Sequence, residues 1–412
     1  MTGDQAAPHA RSNGAVAAPA RRRGRDSGLV MLCDVDLESF DATRTHTLEV
    51  AGCFAAEGFD VDLVARGSDP DVPGVRFHPG QGLENQKRAL RVLSTSLVTI
   101  GLLWSRRRTA QRLYVRHRWS TVPVMVAGRL LSYRVVTQVD DVPYGRGYEL
   151  EQPWAVDHLK RITAILMGRL AHGVVAVTPE IKGLLVDQFH TPADRVAALR
   201  NGVDVDFFHP VPRAEAIARA GPDPELRYLA FSGRFQPWVD FDLMLEAFAI
   251  VHAGEPDTRL ILIGDGGERD RIEASMQRLG ISDSVSVTGM IRDRAKVRDL
   301  MCSATVALAA HQREHVGHIG VSPTKVAEYF AVGRAVVAKD VPGIREAVQE
   351  TGAGIVVAGD PRAMADAIIS LLEPGRADEL GARGRQAAEA LYTWRSVVRR
   401  TLPLFGLDGD GA

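Results

Sequence analysis

The chain has 412 residues, of which 45% are hydrophobic and 25% charged, and its formal net charge is −1. A chain longer than about 250–300 residues favours two domains over one core, and a near-neutral charge argues against a nucleic-acid partner. The odd number of scattered cysteines (Cys33, Cys53, Cys302) argues against a disulfide framework or a cysteine-built metal site, and it fits a cytoplasmic protein.

The first residues do not resemble a targeting signal. Residues 1–27 are rich in Ala, Pro, Gly and Arg, with RRRGR at 21–25, and they lack the apolar core of a signal peptide. We expect a disordered tail whose arginines are solvated.

From Gly28 onwards, short apolar strands alternate with amphipathic helices, which is typical of a doubly wound parallel sheet. The predicted strands of this half are 29–34, 61–64, 112–115, 135–138 and 174–177. A polar turn at 37–45 precedes a predicted helix at 46–57, and further helices are predicted at 122–131, 158–171 and 179–189. Turn residues at 201–210, NGVDVDFFHP, predict an interdomain linker that continues to residue 213.

One apolar stretch of this half has two interpretations. Leu93–Trp104 is bounded by Arg91 and Arg106–Arg108 and is too short to span a bilayer. We favour a domain helix with a solvated basic end, and the alternative is an amphipathic helix at a membrane surface.

The second half repeats the alternation. Strands are predicted at 228–232, 259–263, 284–288, 305–309, 335–338 and 354–357. Helices are predicted at 242–253, 268–279, 295–302 and 361–372, followed by terminal helices at 377–391 and 394–405. We therefore predict an α/β protein with two Rossmann-like domains.

The segment Val321–Ala338 combines a helix start with a buried strand. Ser322 suits an N-cap, Pro323 suits the first helical position, and Gly333 suits the end of a helix of about three turns. Free N–H groups at a helix start attract phosphate, to which Lys325 adds a charge, and Glu328 suits a pair of sugar hydroxyls. The pattern indicates a nucleotide-diphosphate clamp, although capped helices before buried strands also occur in α/β proteins without such a site.

Two other patterns are weaker. No GxGxxG motif is present, and Gly264-Asp265-Gly266-Gly267 after a strand indicates a tight, ligand-facing turn rather than an NAD site. His315 and His318 have a spacing that metal ligands share, but no cysteine lies nearby. We expect His315 and His318 to lie in a loop that covers the bound nucleotide donor, and we expect no metal there.

Several motifs together resemble the retaining glycosyltransferases of family 4, which have the GT-B fold of two Rossmann-like domains facing a cleft. The motifs are NGVDVDFFHP (201–210), FSGRFQPW (231–238), LILIGDGGERDRIE (260–273), VTGMI (287–291), SPTKVAEYFAVGRAVVA (322–338), DVPGIREAV (340–348) and YTW (392–394). The first half resembles the family less, through 45–66 and YVRHRW (114–119). FQPW paired with SPxK is similar to one bacterial branch of the family.

The resemblance implies a donor site in the second domain. Arg234, after Gly233, matches the arginine that grips the donor diphosphate, and Glu328 matches the second glutamate of the E-x7-E motif, which holds the ribose. The remaining donor-side matches are Val321, Ser322, Pro323, Thr324 and Lys325 at the phosphates, Met290 and Ile291 at the base, and Gly264 and Asp265 near the donor.

The chain departs from the family at two positions. The first glutamate of E-x7-E corresponds to Gly320, and the family's phosphate lysine corresponds to Val239. We hypothesise that Lys325 replaces the missing charge.

Candidates on the acceptor side are fewer. Arg44 and His46 follow the first strand and could contact acceptor or sugar, although His46 could equally cap its own helix. Arg116 and His117 lie where relatives place a histidine beside the sugar. Asp140 and Asp141 could bind acceptor hydroxyls, or serve as turn and cap residues.

The resemblance implies a cytoplasmic, metal-independent enzyme that needs no cofactor and transfers a sugar from a nucleotide-diphospho donor, UDP-linked by expectation, with retention. We expect an acceptor-binding domain at 28–208, a donor-binding domain at 209–391, and a segment at 392–412 that returns to the first domain. We favour a small polar natural product as the acceptor. We expect no contact with a membrane. Alternatives are an envelope or lipid-linked glycan transferase, a nucleotide-sugar 2-epimerase, and a non-catalytic nucleotide-sugar-binding partner. A monomer or homodimer is expected.

Overall fold

The computed structural model describes residues 27–39, 42–80, 88–140, 154–322 and 324–407, without the side chains of 42, 88–93 and 154–157. Of the tail predicted at 1–27, residues 1–26 lie outside these ranges, as do Pro323 and Asp141. The described chain forms two separate sheets in which every strand pairing is parallel.

The first sheet has seven strands in the order β3-β2-β1-β4-β5-β6-β7. They are β1 (Gly28–Asp36), β2 (Asp60–Arg66), β3 (Val75–Pro79), β4 (Ala110–Arg116), β5 (Arg134–Val139), β6 (Gly173–Ala176) and β7 (Val196–Ala198). The helices between them are α1 (Ala42–Ala56), α2 (Arg88–Arg106), α3 (Val122–Leu130), α4 (Trp154–Leu170) and α5 (Pro179–Asp187). Alternate residues of β1 enter different cores, Val30 and Leu32 on one face and Leu29 and Met31 on the other. Both faces of this sheet are therefore buried, as in a doubly wound domain.

The second sheet has six strands in the order β10-β9-β8-β11-β12-β13. They are β8 (Arg227–Ser232), β9 (Thr258–Ile263), β10 (Val285–Val287), β11 (Val306–Ala309), β12 (Ala335–Lys339) and β13 (Gly354–Val357). The helices of this half are α6 (Arg213–Ala220), α7 (Phe241–Gly254), α8 (Arg269–Leu279), α9 (Arg294–Ser303), α10 (Arg313–Val316), α11 (Thr324–Ala331), α12 (Ile344–Thr351), α13 (Pro361–Leu372) and α14 (Arg376–Leu391). The predicted two-domain α/β architecture is confirmed.

Some boundaries differ from the sequence prediction. The helix predicted to begin at His46 already includes Ala42, so the expected turn at 37–45 is too long. The strands β3 and β7 were not predicted, because β3 (VRFHP) has no fully buried residue and β7 has three residues of which one is buried. α6 was not predicted either, since it directly follows the proline-containing linker.

The end of the chain returns to the first domain, as expected. α15 (Trp394–Thr401) packs into the core that contains Phe54 of α1, and Phe405, just beyond α15, joins the same core. Arg395 and Arg399 both donate to Glu57 Oε1, at 2.6 and 2.9 Å. These contacts fix the last helix against α1.

The segments that connect the domains run side by side. Val203 forms a parallel bridge with Thr393, and the N–H of Val203 donates to the carbonyl of Tyr392 at 2.6 Å. Val203 and Tyr392 are both buried in a core of the second domain. The chain therefore crosses between the domains in two adjacent strands.

The first domain exposes apolar side chains of α2. The apolar stretch at 93–104 lies within α2, where Leu97 and Trp104 remain 60% and 59% exposed. No helix among the described residues has the length and apolar character needed to cross a membrane. All three cysteines are free thiols, as predicted.

Candidate active site

The carboxyl ends of β8 and β9 are held together by close backbone packing. A Cβ on Gly264 would stand 1.9 Å from the carbonyl oxygen of Gly233, so no side chain fits at this position. The next loop residues are also tied, since Phe235 N–H donates to the Asp265 carbonyl at 2.9 Å. Two strand ends thus place the loops that carry Arg234 and Asp265 side by side.

Arg234 is the unpaired cation of this edge. Its side chain is exposed, and within the described ranges it makes no hydrogen bond or ion pair. Its neighbour Phe235 is fully buried and anchors the loop in the core. A guanidinium on an anchored loop, with all its donors available, suits an anionic ligand.

Helix α11 brings Lys325 and Glu328 to the same edge. The Cε of Lys325 lies 3.9 Å from the position of a Cβ on Gly233. Lys325 Nζ donates to Glu328 Oε2 at 3.2 Å, with Glu328 nearly buried and Lys325 half-exposed. The hydroxyl of Tyr329 accepts from the N–H of Ser232 at 2.7 Å, which joins α11 directly to the end of β8.

Helix α11 is shorter than predicted, and the residues just before it already make hydrogen bonds within the protein. α11 begins at Thr324 and has eight residues, about two turns rather than three, and Gly333 follows it with a φ of 70°. The Ser322 hydroxyl accepts from the N–H of Asn201 at 2.9 Å, and Val321 N–H donates to the Pro342 carbonyl. Ser322 therefore links the clamp to the interdomain crossing.

The predicted base-binding residues lie beside β10. Met290 is 54% exposed, whereas Ile291 is half-buried against the second domain's core. Asp265 is already engaged, since its carboxylate accepts from Gly266 N–H at 2.9 Å and from Arg269 at 3.3 Å. The exposed residue of this group, Met290, is thus the one whose apolar surface is open to a ligand.

The two family positions that this chain lacks have different surroundings. Val239 is 5% exposed within the core around Phe235 and Phe241, so a lysine here would have to bury its stem among apolar groups. Gly320 has a φ of 65°, and a Cβ on it would stand 2.5 Å from Glu180 Oε2. Glu180 belongs to α5 of the first domain, so a carboxylate of one domain lies against the backbone of the other.

Glu180 and Thr178 contact the second domain, a role that the sequence did not reveal. Thr178 ends the loop after β6 and caps α5, since its hydroxyl accepts from Ile181 N–H. The same hydroxyl donates to the carbonyl of Ile319 at 2.5 Å. The only available signal was Thr before Pro179, which predicts a helix start and no partner in the second domain.

The candidates of the first domain form a polar network. Arg116 is paired with Asp140, and Gln138 Nε2 contacts His46 Nε2 at 2.7 Å and Asp140 Oδ1 at 2.6 Å. His46 is 4% exposed in the second turn of α1, so it does not cap its helix. Burial lowers the pKa of His46 to about 4, so its ring is neutral near pH 7.

Arg116 and Asp140 each stabilise the charged form of the other. Burial alone would raise the pKa of Asp140, but the nearby Arg116 guanidinium and His46, together with hydrogen bonds from Arg116 and Gln138, hold that pKa below its ordinary value. Asp140 is therefore the ion-pair partner of Arg116. Arg44 is bonded to the segment after β1, with its Nε donating to the Leu37 carbonyl at 2.8 Å.

His117 directly follows β4 and has both ring nitrogens buried. Neither nitrogen has a hydrogen-bond partner among the described residues. Burial lowers the pKa of His117 to about 4, so the ring is neutral near pH 7 and offers one donor and one acceptor. Unpaired buried nitrogens are costly, which makes His117 a candidate for a ligand hydroxyl.

No group of three or more His, Cys, Asp or Glu side chains in the described chain has the arrangement of a metal site. His315 lies in α10, and His318 follows it in the exposed part of the same loop. The sheet edge of the second domain brings cations and the nearly buried Glu328 carboxylate together beside closely packed glycines, and β4 of the first domain ends in the neutral imidazole of His117. That set suits a diphosphate joined to hydroxyl-bearing rings.

Comparison with known proteins agrees with this chemistry. Residues 43–207 match the family model described as Glycosyltransferase Family 4, and residues 227–374 match the model described as Glycosyl transferases group 1. A D-inositol 3-phosphate glycosyltransferase of Thermobispora bispora is 31% identical over 57% of this chain and 56% of its own length. The chain thus spans little more than half of that relative.

Two further comparisons cover most of the chain. An alpha-maltose-1-phosphate synthase of Mycolicibacterium smegmatis is 27% identical over 84% of this chain and 90% of its own length. The crystal structure of Anabaena Alr3699/HepE in complex with UDP and glucose superposes with a TM-score of 0.69, at 15% identity, over 92% of this chain and 99% of that one. With both domains matched and the two-sheet architecture shared, the chain belongs to the GT-B glycosyltransferases of family 4.

Proposed function

We propose that this protein transfers a sugar from a UDP-linked donor to a hydroxyl of a small polar acceptor, with retention of anomeric configuration. The observation that carries the proposal is the unpaired Arg234 beside Lys325 and the nearly buried Glu328 at one sheet edge. In this proposal residues 28–208 bind the acceptor and residues 209–391 bind the donor. The free cysteines support a cytoplasmic setting.

The proposed mechanism uses charge rather than an enzymatic nucleophile. Arg234 and Lys325 stabilise the negative charge that grows on the diphosphate as the bond from the anomeric carbon to the phosphate oxygen breaks. The acceptor oxygen forms the new bond on the same face of the sugar, and the released phosphate oxygen takes the acceptor proton. Glu328 accepts hydrogen bonds from the ribose hydroxyls, and Lys325 turns from Glu328 towards the phosphates.

The first domain supplies the remaining polar groups. His117 is neutral near pH 7 and offers its unpaired ring nitrogens to a sugar hydroxyl. Arg116 acts indirectly, since its pairing with Asp140 orders the end of β4 next to His117. Arg44 and His46 support the neighbouring wall of the cleft through their bonds to Leu37 and Gln138.

UDP is proposed because the similar Anabaena structure was solved with UDP and glucose, and the acceptor class follows the names of the two relatives. The direct test is UDP release from UDP-glucose with and without D-inositol 3-phosphate and related polyols, followed by NMR of the product's anomeric proton. Acceptor-dependent UDP release with an unchanged anomeric configuration supports the proposal. An isomerised donor without acceptor would identify an epimerase, and donor binding without turnover would identify a non-catalytic binding partner.

A lipid-linked acceptor is the second candidate, because the first domain exposes apolar side chains. Leu97 and Trp104 of α2 and Leu159 and Ile162 of α4 are each more than half exposed, and Leu130 ends α3 between these helices at 80% exposure. Arg107 and Arg108 lie just beyond α2. Flotation with anionic lipid vesicles tests this candidate, with Trp104→Ser as the variant expected to lose binding.

A further inference from the structure

The carboxylate of Glu180 occupies the space beside residue 320 that a side chain on that residue would need. A Cβ built on Gly320 would lie 2.5 Å from Glu180 Oε2 and 3.0 Å from its Cδ. Gly320 corresponds to the first glutamate of the E-x7-E motif. A carboxylate is therefore present at this place, but it comes from α5 of the first domain instead of the loop before α11.

One carboxylate oxygen of Glu180 is buried without a hydrogen-bond donor among the residues that the structure describes. Glu180 Oε2 is buried and has no hydrogen-bond partner within the described part of the chain. A buried carboxylate oxygen without a donor is costly, and a ligand hydroxyl would remove that cost. The neighbouring hydrogen bond from Thr178 to the Ile319 carbonyl joins the same two segments, so the contact of Glu180 with Gly320 is accompanied by a second interdomain contact.

The order of groups along the cleft indicates which part of a donor meets Glu180. Glu328, at the ribose end, lies one helical turn beyond Lys325, at the phosphate end. Gly320 precedes Lys325 in the chain, whereas Glu328 follows it, and Gly320 lies against Glu180 of the first domain. A group beyond the diphosphate, away from the ribose, is the sugar to be transferred.

We propose that Glu180 accepts hydrogen bonds from hydroxyls of the transferred sugar, and so supplies from the first domain the carboxylate that is absent at residue 320. The inference rests on the proposed donor site. It makes sugar recognition dependent on both domains, because α5 must lie against the loop at 319–320 for the contact to exist. A pyranose with two adjacent free hydroxyls is the ligand class that such a carboxylate fits.

Calorimetric titration with UDP and with UDP-glucose tests the proposal, using wild type, Glu180→Gln, Glu180→Asp and the control Asp187→Asn, which removes a charge from the exposed end of the same helix. We expect Glu180→Gln to leave the Kd of UDP unchanged and to weaken UDP-glucose about tenfold. Glu180→Asp should lie between wild type and Glu180→Gln, and Asp187→Asn should match wild type.

The outcomes separate this proposal from the proposed function. If wild type binds UDP but Glu180→Gln binds UDP-glucose as wild type does, the role of Glu180 is overturned and the donor site stands. If Glu180→Gln weakens UDP and UDP-glucose equally, Glu180 is a structural residue and the proposal is also overturned. If wild type binds neither ligand, the proposed function itself fails, and the role of Glu180 fails with it.

Discussion

The hydroxyl of Tyr329 accepts a hydrogen bond of 2.7 Å from the backbone N–H of Ser232. Ser232 is the last residue of β8, directly before Gly233 and Arg234, while Tyr329 follows Glu328 on α11. One buried bond therefore sets the distance between the loop of the proposed diphosphate arginine and the helix of the proposed ribose carboxylate.

Removing this bond should affect both stability and donor binding. Tyr329→Phe leaves the buried N–H of Ser232 without an acceptor, and we expect about 1–3 kcal/mol of lost stability in denaturant unfolding. UDP affinity should fall as well, since α11 is no longer held against β8. Tyr228→Phe, which removes a hydroxyl contact to Asp223 away from the cleft, is the matched control. Unchanged UDP affinity in a destabilised Tyr329→Phe would show that the bond does not position the site.

Lys325 is proposed to replace the lysine absent at residue 239. Lys325→Ala should weaken UDP binding about 10–100-fold, the effect of losing one or two charge-assisted hydrogen bonds to phosphate. Isothermal titration measures it, with Lys296→Ala on the exposed face of α9 as control. A Kd equal to that of wild type would rule out the replacement.

The contact of Gly320 with Glu180 predicts coupling between the two positions. Gly320→Ala combines strain at a φ of 65° with a close contact to the Glu180 carboxylate, so it should be destabilising. In a Glu180→Ala background only the strain remains, and the cost of Gly320→Ala should be smaller by about 1 kcal/mol. A double-mutant cycle of unfolding free energies gives this difference. Strictly additive costs would contradict the contact.

The buried histidines predict a stability loss in mild acid. Burial lowers the pKa of both His46 and His117 from 6.5 to about 4, so between those values the unfolded chain binds protons that the folded chain does not. The stability that the two neutral histidines contribute is therefore fully present above pH 6.5. The free energy of unfolding falls as the pH is lowered towards 4. The loss due to His46, which is 4% exposed, is at most about 3 kcal/mol.

Unfolding free energies measured from pH 7 to 4 check this slope. On unfolding, His46→Gln should bind about one proton fewer than wild type. His318→Gln, at an exposed histidine, is the control for the substitution itself. The carboxylate Asp140 acts in a lower window, because its depressed pKa means that its contribution is lost only below about pH 4. A slope identical in His46→Gln and wild type would show that His46 binds its proton normally in the fold.

The sequence predicted the strands that position the donor side, because β8, β9, β11 and β12 are continuous apolar runs between turn residues. It also placed Lys325 and Glu328 on one helix, since helical spacing is a local property. The strands β3 and β7 were missed because β3 has no fully buried residue and β7 has three residues of which one is buried, so neither leaves a clear apolar run. Contacts across the cleft, such as Glu180 with Gly320 and Thr178 with Ile319, join residues more than a hundred positions apart and leave no local pattern.

The central claim is a nucleotide-diphosphate site formed by Arg234, Lys325 and Glu328. The most direct measurement is the thermal stabilisation of wild type, Arg234→Met and Glu328→Gln by UDP, compared with GDP, ADP and NAD. At a UDP concentration of 100 times its Kd, wild type should gain about 2.7 kcal/mol, and both variants should lose most of that gain at the same concentration. A gain that persists unchanged in both variants, or its absence in wild type with every nucleotide, would contradict the proposed site.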